Sequence, residues 1–231
     1  IEFEKKFAKF IGVKYCISTN SGTDALILSL RSLNIGKEDE IITVCNTFFA
    51  TVGAIVACGA KPVFVDADDR YQIDCNKIEK KITKKTKAIM VVHLYGLMCN
   101  MDEIMRIAKK HNLKVLEDCA QCFLGYDNKK RISGTVGDIG SWSLENTKHI
   151  SSNEGGILTT NNEVYAKKLR KFGGLGFANI TANSGKVQID KNKFQDPNWK
   201  RHDEFAYNYR MSELCAAVAF AQTKKIKLFV K

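Results

Sequence analysis

No apolar run in this chain of 231 residues is long enough to cross a bilayer. The longest, Ala88 to Met98, is broken by His93 and Tyr95, and the stretch from Ile1 to Phe10 carries Lys5, Lys6 and Lys9 at helical spacing. Neither a membrane span nor a signal peptide is expected. No internal repeat or low-complexity tract is present, so repeat architectures are excluded as well. Aromatic residues are scarce within the lysine clusters Lys80 to Lys85 and Lys167 to Lys171, which leaves little to stack on bases. Nucleic-acid binding is therefore not expected, and the net charge of +11 is read as solvated faces that would also draw in an anionic, phosphorylated or nucleotide-linked metabolite.

The eight cysteines stand at irregular positions, mostly in apolar runs, which suits small buried thiols in a reducing compartment; a cytoplasmic protein is expected. The one tight pair is Cys119-Ala120-Gln121-Cys122, and no second pair or neighbouring histidine in the sequence completes a tetrahedral set. No metal is expected. The first residue is not Met, and Lys224 to Lys231 reads as the opening of a helix, so the chain is expected to be a fragment.

At 45% hydrophobic residues the chain can bury a substantial core, in one large domain or one and a half. Short β-rich runs occur at Tyr15 to Thr19, Glu40 to Val44, Pro62 to Asp66, Ala88 to Leu94, Lys114 to Glu117, Ile139 to Ser143 and Gly156 to Thr160. Helical spacing separates several of them, as in Ala25 to Leu33 and Met101 to Ala108. This alternation predicts an α/β fold, a mostly parallel mixed sheet covered by helices, with ligands beyond the carboxyl ends of the strands. From Phe172 to Phe205 the pattern fails and a long surface excursion is expected. Met211 to Phe220 then reads as an Ala-rich helix buried against the sheet or a partner subunit.

Four stretches carry chemistry. Ser18 to Leu26 ends a strand and opens a helix, leaving backbone N–H groups at Gly22 and Thr23 and hydroxyls on Ser21 and Thr23; such an end attracts phosphate, although an ordinary helix cap looks the same. Thr47-Phe48-Phe49-Ala50-Thr51 follows the second strand, with two rings in an extended segment, one expected to lie flat on a ligand ring and the other to pack inward. Glu117 and Asp118 end an apolar strand, where a buried carboxylate is costly unless it meets a cation, with Gln121 one turn on. Lys148 follows another strand, five residues after Ser143; a free lysine with a pKa of about 10.4 is a poor nucleophile near neutrality unless its surroundings change that. An amine, a carboxylate for a ring nitrogen and a phosphate-binding helix start are what pyridoxal 5'-phosphate asks of a protein.

Ser-Gly-Thr-Asp-Ala-Leu, Thr-Phe-Phe-Ala-Thr, Glu-Asp-Cys-Ala-Gln, Gly-Asp-Ile-Gly-Ser-Trp-Ser with Lys148 behind it, Glu-Gly-Gly-Ile and Asn208-Tyr209-Arg210-Met211 resemble, in this order, the DegT/StrS family of sugar aminotransferases. The resemblance implies the aspartate aminotransferase type of fold, pyridoxal phosphate as cofactor, and a homodimer with shared active sites. It implies Lys148 as the Schiff-base lysine, Asp118 as partner of the ring nitrogen, Gln121 beside the ring hydroxyl and Phe48 as the stacking ring. Gly22, Thr23 and Ser143 match phosphate-binding positions, and Asn208 matches an asparagine that reaches the phosphate in the opposite subunit. Residues 1–172 would form the large cofactor-binding domain, 173–206 the excursion, and 207–231 a helix leading toward a small C-terminal domain.

The implied reaction moves an amino group from a glutamate-type donor to a keto sugar, typically nucleotide-linked. Glu145-Asn146 departs from the family's more usual aromatic-Pro pair. Three rivals remain: a dehydratase branch in which histidine replaces the lysine, with His149 one position away; a non-catalytic regulator that binds the cofactor or a sugar nucleotide; and a redox protein built on Cys119 and Cys122.

Overall fold

The computed structural model describes residues 2–185, 192–193 and 196–230. Seven strands form one sheet: β1 (Tyr15–Thr19), β2 (Glu40–Val44), β3 (Lys61–Val65), β4 (Thr86–Val92), β5 (Lys114–Asp118), β6 (Ile139–Ser143) and β7 (Gly156–Thr160). Their spatial order is β1-β7-β6-β5-β4-β2-β3. β3, β2, β4, β5 and β6 pair in parallel, whereas β7 is antiparallel to both of its neighbours, β6 and β1. With β7 reversed, β1 again runs with the parallel set, so β1, β2, β4, β5 and β6 end at one edge.

Each expected strand is present, β1, β2, β6 and β7 with the expected bounds and β3, β4 and β5 with shifted ends. β4 runs Thr86–Val92 rather than Ala88 to Leu94, because the chain leaves the sheet at His93 and Tyr95 turns with a left-handed φ of 56°. β3 carries Pro62 and is the edge strand next to β2, a place where a missing N–H costs no ladder bond.

Alternation along the strands feeds two cores. Ile41, Met90 and Leu116 point to one face, against α2 (Gly22–Ser32), α3 (Phe49–Ala57) and α6 (Glu163–Gly173). Ile42, Ile89, Val91 and Val115 point to the other, with Ile78 of the short α4 (Cys75–Ile78) and Ile104 and Ile107 of α5 (Met101–Lys110). α5 carries charge on its outer face and opens on Asn100, whose side chain accepts the Glu103 amide. Beside this second core, α1 (Glu2–Ile11) buries Phe3, Phe7, Ala8 and Ile11 in a third cluster around Trp142. Glu4, buried on the same helix, pairs with Arg170 of α6 at 2.9 Å.

α7 (Glu213–Thr223) begins at Ser212, whose hydroxyl accepts the Cys215 amide. The expected burial of this helix against the sheet is not observed: Ala219 and Thr223 are buried, whereas Leu214 is 83% and Val218 48% exposed. α1 already covers the sheet there, and α7 packs outside α1. A last short helix, α8 (Ile226–Phe229), comes after it. Within the expected excursion at 173–206, residues 186–191 and 194–195 lie outside the described residues. Two bridges tie down the remainder, Gly174 to Asn208 and Phe177 to His202, together with the ion pair of buried Lys171 with Asp203. No described helix is long and apolar enough to cross a membrane.

Candidate active site

The common strand edge opens into a cavity of ≈ 350 Å³ lined by Gly22, Thr23, Phe48, Asp118, Gln121, Ser143 and Lys148. Seven of the residues singled out in the sequence thus meet in one place, although they come from the ends of four separate strands, β1, β2, β5 and β6, and the loops after them. Asn208 does not line it; it is exposed and accepts Arg210 Nε at 3.0 Å.

At one end lies the start of α2. Ser21 caps it, taking the Asp24 amide on Oγ at 3.0 Å, and the first main-chain bond of the helix runs from Ala25 N to Ser21 O. The cap expected from the sequence is real, and it still leaves the amides of Gly22 and Thr23 pointing out of the positive helix end. β6 comes close to this turn. A Cβ on Gly22 would stand 2.7 Å from Ser143 Cβ and 3.1 Å from Ser143 Oγ, so glycine is what allows the Ser143 hydroxyl to approach the helix start. β7, wedged between β1 and β6, needs the same freedom at Gly156, where a Cβ would meet Ser21 O at 2.2 Å. Hydroxyls, amides and a helix dipole converge on a concavity that fits a phosphate.

At the other end is Asp118, buried at the end of β5. Its Oδ1 accepts the Ala120 amide at 3.1 Å and its Oδ2 the Thr51 hydroxyl at 2.8 Å. Burial pushes the Asp118 carboxyl above its ordinary value, against the opposing pull of these two donors and of Lys148. A cationic ring nitrogen in the cavity would relieve that cost. The neighbouring carboxylate, Glu117, behaves differently because alternate strand residues face opposite ways. It accepts His93 Nε2 at 2.9 Å and the amides of Gly134, Val136 and Gly137 at 2.8, 2.8 and 2.6 Å. Burial would raise its pKa, but the His93 bond and these amides hold it below the usual carboxylate range. His93 Nδ1 accepts the Cys99 amide at 3.1 Å, so its proton sits on Nε2. Of the two acids at this strand end, Glu117 is a structural tie and Asp118 is the one facing the cavity.

His93, Glu117 and Cys119 lie with ligand-type atoms within 4.8 Å of one another, all buried. The sequence placed no histidine near the Cys119 pair because His93 arrives from a different strand. Burial pushes both Cys119 and Cys122 thiols up, the reverse of what a reactive dithiol requires. All eight cysteines are free.

Lys148 stands in the turn after β6, its Nζ 5.9 Å from the centroid of the Phe48 ring. Glu145 shapes that turn: its carboxylate accepts both the amide and the hydroxyl of Thr147, bonds that hold it below the usual carboxylate range, and Lys148 N donates to Glu145 O at 3.0 Å. Glu145-Asn146 therefore builds the turn by hydrogen bonding where an aromatic-Pro pair would build it by stiffness. His149, one residue on, is exposed, leans on the Phe123 ring at 5.8 Å and does not line this cavity. Phe49 does not pack inward as expected; it is 80% and Phe48 69% exposed. α3 starts at Phe49 with Phe48 as its cap, so successive side chains do not alternate as in the extended chain assumed from the sequence.

The hydroxyls of Thr47 and Thr51, which flank the two rings and have no role legible in the sequence, also belong here. They are 2.7 Å apart, and Thr47 lines the cavity. The available signal was their spacing of four, meaningful once a helix is known to start between them.

Along its whole length, residues 1–231, the chain matches the model of the DegT/DnrJ/EryC1/StrS aminotransferase family. It belongs to that family. A GDP-perosamine synthase of Caulobacter vibrioides is 40% identical over 228 residues, 98% of this chain and 56% of the relative. A dTDP-3-amino-3,6-dideoxy-alpha-D-galactopyranose transaminase of Aneurinibacillus thermoaerophilus is 43% identical over 219 residues, 94% of this chain and 55% of the relative. Among solved structures, NtdA of Bacillus subtilis with bound cofactor PMP superposes with a TM-score of 0.82 at 33% identity, over 98% of this chain and 48% of that one. This DegT/DnrJ/EryC1/StrS chain thus spans about half the length of the relatives it matches.

Crowding between β6 and the α2 start makes Gly22 sensitive. Gly22→Ala is expected to weaken binding of pyridoxal phosphate by about 10- to 100-fold, since displacing Ser143 would forfeit the one or two charge-assisted hydrogen bonds that a phosphate at this helix start would take. Fluorescence titration of the full-length apoprotein with the cofactor, and with inorganic phosphate as competitor, measures it. Unchanged affinity for both would show that the phosphate sits elsewhere.

Proposed function

We propose that the protein is a pyridoxal phosphate-dependent aminotransferase that moves an amino group from a glutamate-type donor to a keto sugar carried on a nucleotide. One observation carries this reading: Lys148, Asp118 and the free amides of Gly22 and Thr23 line one cavity. Names of relatives, a GDP-sugar synthase and a dTDP-sugar transaminase, support the substrate class.

Pyridoxal phosphate, when bound, supplies an electron sink for the carbanion left as a Cα–H bond breaks. Lys148 Nζ would hold the cofactor covalently at rest and, once released, take the proton from donor Cα and return it on the acceptor side. Asp118 would accept the ring N–H, Gln121 would hydrogen-bond the ring hydroxyl, and the Phe48 ring would lie against the pyridine. Gly22, Thr23 and Ser143 would hold the phosphate. Lys148 rather than His149 faces these groups, which favours amino transfer over the dehydration run with a histidine.

Asn208, exposed and outside the cavity, suits the role of reaching the cofactor of a second copy, and the open apolar side of α7 at Leu214 and Val218 suits a subunit contact; a homodimer is proposed on both counts. Eight free cysteines suit a cytoplasmic setting.

The test supplies the full-length protein with glutamate and a panel of nucleotide-linked keto sugars. Release of 2-oxoglutarate and an aminated sugar seen by mass are expected. A cofactor-loaded protein that releases no 2-oxoglutarate would instead be a sensor.

A further inference from the structure

We propose that Thr51 is a positioning residue that aims the Asp118 carboxylate at the ring nitrogen of the bound cofactor, and that Thr47 fixes the direction of the Thr51 hydroxyl. The inference rests on the aminotransferase reading and adds to it a two-hydroxyl relay at the start of α3.

Asp118 holds two hydrogen bonds. The one from Ala120 N belongs to the main chain of the turn after β5 and would survive any side-chain change. Thr51 is the side chain that donates to the other oxygen, Oδ2, at 2.8 Å. Thr51 is 0% exposed and sits in the first turn of α3, its amide bonded to Phe48 O at 3.2 Å, so its hydroxyl cannot swing away into water. An ionised carboxylate accepts only, which commits the single Thr51 proton to Asp118. Thr47 Oγ1, 2.7 Å from Thr51 Oγ1, must then donate to it. The polarity of the relay is therefore fixed from Thr47, on the cavity wall, through Thr51 to Asp118.

This arrangement has two effects. Aligned donors reinforce one another in a low dielectric and favour the charged form of a carboxylate that burial disfavours. Bonds to both oxygens also fix the rotation of the carboxylate plane, which determines where its remaining lone pairs point. Without Thr51, Oδ2 would be buried with no partner and the group would either turn or take up a proton.

The experiment compares full-length wild-type protein with Thr51→Val, Thr51→Ser and Thr47→Val. For each, it reads the dissociation constant of pyridoxal phosphate, the absorbance spectrum of the bound cofactor at fixed pH, and the Tm of the apoprotein. Thr51→Val is expected to bind roughly tenfold more weakly, the loss of one hydrogen bond to a charged group, with an altered ratio of the cofactor bands. Thr51→Ser should restore both to near wild type. Thr47→Val should fall between, because Thr51 keeps its proton for Asp118.

Wild-type affinity and spectrum in Thr51→Val overturn the proposal, as does a serine variant that fails as badly as valine, which would mean that shape and not the hydroxyl matters. If Thr51→Val does not fold, Thr51→Ala against Thr51→Ser isolates the same hydroxyl, and equal spectra and affinities for that pair overturn the proposal. Wild-type protein that takes up no pyridoxal phosphate overturns this inference together with the reading beneath it, whereas wild type that binds while Thr51→Val matches it overturns this inference alone.

Discussion

Lys148→Ala is expected to lower amino transfer by at least about four orders of magnitude, the upper range for a positioned proton-transfer group, with a covalent role lost as well. Lys148 lines the cavity shared by Asp118 and the helix start, and the exposed His149 behind it does not. Among the described residues no other lysine lines that cavity, so none of them stands ready to take over. Fold stability should barely change, because Lys148 lies in a surface turn and its side chain rests on the half-open Phe48 ring. Two measurements are paired: turnover with glutamate, and peptide mapping after borohydride reduction of the cofactor-loaded wild type. A reduced tag on a different lysine, or more than a few per cent of wild-type turnover in the alanine variant, would remove the basis for the proposed chemistry.

Asp118→Asn should separate stability from binding, with the two moving in opposite directions. Burial raises the Asp118 carboxyl above its ordinary value in the folded chain. A carboxyl whose folded pKa exceeds its unfolded one favours the fold below the unfolded pKa, and that contribution disappears as pH rises through the folded pKa. Above its folded pKa the apoprotein carries an ionised, desolvated group that a neutral amide would not impose. The asparagine variant is expected to melt at the same temperature as wild type or higher at pH 7, and to lose that advantage as pH falls below the unfolded carboxylate range near 4.

Cofactor binding should go the other way. Removing one partner of a buried, hydrogen-bonded charge pair costs about 2 kcal/mol or more, a loss of affinity of about 30-fold or more. Calorimetric melts of the apoprotein at pH 4 and 7, and cofactor titrations at pH 7, give the comparison. A variant that melts well below wild type at pH 7 would mean that Asp118 is chiefly a structural cap of the turn at Ala120, which it also serves.

The four chemistry-bearing stretches could be read from the chain because each is a local event, the junction between a strand end and the next turn or helix. Ser21-Gly22-Thr23 combines a capping residue with a residue lacking Cβ, and an acid at the end of the apolar strand Lys114–Asp118 calls for a partner wherever that strand lies. The strands themselves were legible because short β-rich runs between breakers need no partner to be noticed. The place of Phe49, and which surface covers α7, were not legible for a related reason. Whether a ring or an Ala-rich face is buried depends on what arrives from elsewhere, and in these two cases a helix start and α1 determined the result.

From the sequence alone come the α/β class, the strand ends that bear chemistry, and the residue types that pyridoxal phosphate needs. Tertiary structure decided which of Glu117 and Asp118 faces the cavity, that Ser143 comes within touching distance of Gly22, and that His93 is brought to Glu117. It also revealed Thr47 and Thr51 behind Asp118. The physical reason is sheet order: β1, β6, β5 and β2 are far apart in the chain, and only their arrangement around β7 and β4 puts their ends at one edge.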